Sequence, residues 1–145
     1  MVKRSLLYGV AGSALVVVTG VILSAQASLS LNSLLVLSAA SLLVLLLAAA
    51  IAGWKARREG SKPSLAGAIV GGVIAIGMMI GNGLLAASPA YQQVLANAAS
   101  ESGTGLTGFT PTIGSVLSTL LINTLLGTIG AAVGARLAKQ QRTQG

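Results

Sequence analysis

Few side chains in this sequence are equipped for chemistry. Its 145 residues include two carboxylates, Glu59 and Glu101, and no Asp, Cys or His. General acid–base work needs a titratable group held beside a second one or a nucleophile. Glu59 instead sits among Lys55, Arg57, Arg58 and Lys62, where it reads as a solvated ion-pair partner. Glu101 stands alone in a segment rich in Ser, Thr and Gly. There are no paired carboxylates, no activated nucleophile and no phosphate-cradling loop, so no catalytic residue is expected and the chain reads as non-enzymatic. The usual soft and imidazole ligands are missing, so no metal or cofactor site is expected either.

What remains is neutral. Asn123 is the most deeply placed strong polar side chain, with Gly127, Gly130 and Gly134 following it on the same helix face at steps of four, three and four. An amide and small residues on one stripe describe a helix-packing seam, in which an interhelical amide bond is worth roughly 0.6–2 kcal/mol. The functional counterpart is an amide lining a pore or a substrate path. Asn82, flanked by Gly81 and Gly83, offers a similar choice between a loosened last turn bonded to a neighbouring helix and a helix break beside a cavity. Gly67 and Gly71, then Gly77 and Gly81, repeat the small-xxx-small spacing that lets two helix backbones approach closely in lipid. Gly9, Ser13, Val16 and Gly20 form a comparable stripe, so three of the four expected spans have a face for close contact. The hydroxyls of Ser115, Ser118, Thr119, Thr124 and Thr128 are expected to bond the carbonyls of their own helix and are assigned no function.

The elements that must position these residues are membrane spans. The chain is 54% hydrophobic and only 8% charged, with a mean hydropathy of +0.88. Soluble domains carry about 25% charged residues. A chain this short has too much surface for its volume to hide that much apolar area from water, so lipid must cover it. The expected fold is all-α: one domain of four transmembrane helices over about residues 6–25, 33–53, 64–87 and 113–135. A short amphipathic surface helix is expected in the connection 88–112, because Tyr91, Val94, Leu95 and Ala98 recur at helical spacing while Gln92, Gln93 and Asn97 face elsewhere.

Several boundaries are written locally. Ser30 or Asn32 is placed to cap the second span, Ser88-Pro89 to start the surface helix, and Thr110-Pro111 to start the fourth span. The second span lacks Gly until its end and is Leu-rich, so it is expected to pack less closely and to carry much of the lipid contact. Trp54 closes it at headgroup level. Lys3, Arg4, an apolar run and Ala25-Gln26-Ala27 also fit a secretory signal peptide. That run, Leu6 to Leu23, is about 18 residues, long for a signal core and right for a retained span. No long-period repeat is evident.

Charge sets the expected topology. All nine basic residues fall before the first span, in the connection 54–63, or in the tail 136–145 expected to be frayed. The two connections on the opposite side contain none, a strong positive-inside pattern that places both termini and the 54–63 loop in the cytoplasm. The formal charge of +7 therefore reads as lipid-facing anchorage, with Lys55, Arg57, Arg58 and Lys62 engaging anionic headgroups or a cytoplasmic partner, and not as nucleic-acid binding. A bacterial or archaeal cell membrane is the expected location. The spans hold no Asp, Glu, Lys or Arg in their cores, which argues against a proton-coupled pump. Small multidrug-resistance transporters also have four spans in a short chain, but they rely on a Glu in the first span, and Leu6 to Leu23 has none. The leading expectation is a structural or accessory subunit of a membrane assembly, held to other membrane helices by Gly-lined faces. The alternatives are a self-associating, holin-like pore-former or a facilitator of a small neutral solute.

Overall fold

The computed structural model describes residues 2–25, 30–102 and 112–143. They form five helices: α1 (Val2–Ser24), α2 (Leu31–Arg58), α3 (Pro63–Ala86), α4 (Pro89–Ser102) and α5 (Ile113–Thr143). Four of these, all but α4, are long and apolar enough to cross a membrane.

Local chemistry explains most of the ends. Ser30 adopts an extended backbone and its side chain accepts the Ser33 amide at 3.2 Å, a standard N-cap for α2. Ser88 does the same for α4, accepting the Tyr91 amide at 3.3 Å. At α5 the cap is Thr112, one residue after the expected pair. Its Oγ1 accepts the Ser115 amide at 3.2 Å while Ser115 Oγ accepts the Thr112 amide at 3.0 Å, a reciprocal box built on Ser where Glu or Gln is usual. Thr110 and Pro111 lie outside the described residues.

The basic connection is shorter than expected. Lys55, Arg57 and Arg58 belong to the last turn of α2, where cations meet the negative end of the helix dipole. Only residues 59–62 link the helices. Gly60 turns the chain at φ +69°, with Ser61 N–H donating to Ala56 O at 2.8 Å and Gly60 N–H to Arg57 O at 3.3 Å. This is a Schellman closure, and its left-handed residue favours glycine. Pro63 then supplies the first turn of α3, where a missing N–H costs nothing. Two other extents differ from expectation. The basic tail is helical through Thr143 as a continuation of α5, and α4 runs on through Glu101 and Ser102.

The spans form a ring in the order α1, α3, α5, α2, and α2 touches α3 across the diagonal. Close-contact pairs set the directions. Gly9 and Gly12 of α1 lie against Val73 and Ile74, and Gly20 against Gly81, so α1 and α3 run parallel. Gly67 meets Gly127 and Gly71 meets Asn123, so α3 and α5 are antiparallel. Leu46 and Ala49 meet Gly130, and Ala50 meets Gly134, so α2 and α5 are parallel. These directions put the start of α1, the α2–α3 connection and the end of α5 at one end of the bundle, here the basic end. Helix α4 lies at the other. Helix α3, the Gly-rich span, is the most enclosed. Leu45, Val70 and Ile74 are its largest fully buried neighbours and members.

The expectation for α2 needs correction. It does expose Leu35, Val36, Leu43 and Leu47 to the surroundings. Yet its other face packs backbone-close against α5 through Ala49, Ala50 and Gly53. Alanine together with Gly53 supplies the small stripe there, so all four spans have one.

Candidate functional site

At the basic end, the guanidinium of Arg4 and the carboxylate of Glu59 form an ion pair linking the start of α1 to the end of α2. Both groups reach solvent, so such a pair contributes at most about 1 kcal/mol. It accounts for Glu59 as a structural partner. The Arg58 guanidinium lies 4.1 Å from the centre of the Trp54 ring, a cation–π contact one helical turn long. Lys62 precedes α3 and is exposed.

The helices approach closely along the mid-span seam. A Cβ added at Gly71 would lie 3.0 Å from Asn123 C and Thr124 Cα. One at Gly127 would lie 2.9 Å from Gly71 Cα, and one at Gly134 2.7 Å from Ala50 C. At Gly67 it would lie 2.6 Å from Ala131 Cβ, and at Gly77 2.9 Å from Ser13 Cα. Gly130 and Gly81 are looser, with nearest atoms at 3.1 Å and 3.5 Å. Asn123 is buried in this seam at 8% exposure, but its Nδ2 donates to Thr119 O in its own helix at 2.8 Å and not across to α3. Thr119 Oγ1 likewise donates to Ser115 O, and Thr128 Oγ1 to Thr124 O.

Beyond Asn123, towards the α4 end, α3 and α5 part. The gap is a cleft of about 360 Å³ whose lining among the described residues comes from α3, the short turn after it and α5, including Asn82, Gly83, Ser115 and Thr119. Asn82 is exposed, and no described residue bonds its amide. It also borders a second cleft of about 200 Å³ on the other side of α3, with Leu34, Ser38 and Tyr91. The expected set therefore divides. Gly67, Gly71, Gly127, Gly134 and Asn123 share one seam region between α3, α5 and α2, and Gly77 and Gly81 face α1. Asn82 belongs to neither, and borders open space.

Sequence reasoning missed the role of α5's first ten residues. None of residues 113–122 is buried, whereas Asn123, Gly127, Gly130, Ala131, Gly134 and Ala138 are. The sequence carries little signal of this, because Gly114, Ser115, Ser118 and Thr119 are as small as the residues that pack after Asn123. Among the described residues no group of His, Cys, Asp or Glu could hold a metal ion. No protein family, curated protein or solved structure matches the chain.

Proposed function

We propose that this protein is a non-catalytic subunit of a membrane assembly, docking a partner helix against the outward face of α5. The carrying observation is that α5 is packed over residues 123–138 and has no buried residue over 113–122. Most other span halves contribute buried residues, for example Val16 and Gly20 in α1 or Leu37 and Ser41 in α2. Ile113, Leu117 and Leu121 make an apolar stripe on that segment at steps of four. In lipid such a stripe gains little from burial as such, and a partner would be held by close packing and hydroxyl or amide bonds. The Gly faces expected to serve this purpose are already occupied inside the chain, which moves the docking surface to α5.

The facilitator reading has one observation in its favour, the cleft beside Asn82 and Gly83. Against it, backbone contact at Gly71–Asn123 and Gly67–Gly127 closes the way to the basic end within one chain. The charge pattern supports an orientation with both termini in the cytoplasm and the basic end facing anionic headgroups. A reporter fused after Gly145 should be active only in the cytosol. For the docking surface, a photoreactive amino acid at Leu117 should yield protein adducts in intact cells, while one at Leu43 on α2 should not. Adducts with lipid alone at both positions would refute the subunit reading.

A further inference from the structure

We infer that the cleft between α3 and α5 is a binding site for a neutral lipid with a free hydroxyl group, of the diacylglycerol kind. This stands apart from the partner reading, which uses the opposite face of α5.

The hydrogen-bonding inventory of the cleft sets the ligand class. Ser115 Oγ donates to Thr112 O at 2.8 Å and accepts the Thr112 amide, and Thr119 Oγ1 donates to Ser115 O at 2.8 Å. A hydroxyl has one proton and two lone pairs, so both now offer lone pairs only. Asn82 is the complement: its amide has two N–H groups and a carbonyl, its side chain is exposed, and no described residue bonds it. A ligand that satisfies both sides must donate and accept at once. A hydroxyl does this with one atom. A saturated acyl chain does neither, and an ester carbonyl accepts only.

Charge narrows it further. Among the described residues no Lys, Arg, Asp or Glu lines the cleft. A phosphate brought here would lose its water without gaining a counter-ion, which is costly at this depth. The rest of the lining is Met79, Val116 and small residues, an apolar wall with a few convergent polar groups, as in ordinary small-molecule sites. The volume of about 360 Å³ lies in the range for such sites and accommodates a glycerol unit with the first part of an acyl chain, not a whole lipid.

Depth agrees. Asn82 lies four residues before Ala86, the last residue of α3, hence about 6 Å inside the helix end. Lipids with phosphate headgroups keep their polar part above that level. A lipid whose only polar head is a hydroxyl settles lower, where Asn82 and Thr119 are. Its chains then run along the groove until Gly71 and Asn123 close it.

The test uses the full chain in detergent micelles with a photoactivatable diacylglycerol. Two competitors are added in separate arms: unlabelled diacylglycerol, and the same lipid with its hydroxyl acetylated. Labelling should map to residues near Met79 and Val116, and the free hydroxyl form should compete about fivefold better, the size of one hydrogen bond. Asn82→Leu should weaken labelling by about the same factor. Gly83→Leu is the second variant: a Cβ there meets nothing within 4 Å, so the fold is kept while the side chain fills the cleft, and labelling should be lost. Equal competition by the acetylated lipid, or unchanged labelling in both variants, would overturn the proposal. So would cross-linking of that site to protein instead of lipid.

Discussion

Gly71 and Gly72 are neighbours on α3 and provide an internal control. A Cβ at Gly71 would run first into Asn123 O and then into Asn123 C and Thr124 Cα at 3.0 Å, all backbone atoms that cannot rotate away. A Cβ at Gly72 would meet only Thr124 Oγ1 at 3.8 Å, an ordinary contact. Alanine improves intrinsic helix propensity by about 1 kcal/mol at either site, so that term cancels in the comparison. Carbon atoms attract best at about 3.5–4.0 Å, so Gly71→Ala requires α3 and α5 to separate by roughly 0.5–1 Å, which forfeits a quarter to a half of each contact well along the seam. Gly71→Ala is therefore expected to be about 1–3 kcal/mol less stable than Gly72→Ala, and Gly72→Ala should be neutral or up to about 1 kcal/mol more stable than wild type. Helicity followed during titration with a denaturing detergent in mixed micelles measures the difference. Equal stability of the two variants, or a larger loss at Gly72, would refute the backbone-contact account of the α3–α5 seam.

Other outcomes follow from single contacts. Gly60→Ala should cost about 1–2 kcal/mol from its φ of +69° alone, since nothing lies within 4 Å of a Cβ there, and Gly60→Asn should recover part of it in the same titration. Ser30→Ala removes the α2 cap and should cost about 1 kcal/mol, with Ser30→Asp restoring it; no loss would mean that the cap is dispensable. Asn123→Ala should leave any association between chains unchanged on a sizing column, because the amide bonds within its own helix.

Fold and site were legible to different depths. The four spans, their order and the basic end could be read because apolar length and charge leave few alternatives in a bilayer. Ser30 and Ser88 were readable as caps because a side-chain acceptor beside a helix start has one common use. The small stripe of α2 was missed because only glycine was counted, while Ala49 and Gly53 keep the same spacing of four. The end of α5 was misread because basic and polar residues after Ala135 resemble a frayed tail, although Arg, Leu, Ala, Lys and Gln are all good helix formers. The Asn123 bond could not be read at all. An amide on a seam has two partners within reach, its own i−4 carbonyl and the facing helix, and spacing does not choose between them. The cleft at Asn82 depends on the angle between α3 and α5, a tertiary quantity that residue spacing does not state.

That angle makes the α3–α5 pair wider at one end than at the other. Helices α3 and α5 touch near the basic end and diverge towards α4, which adds its own bulk there. In a bilayer such an opening is filled, so the atoms that surround α5 are its own neighbours at one end and lipid or a further molecule at the other.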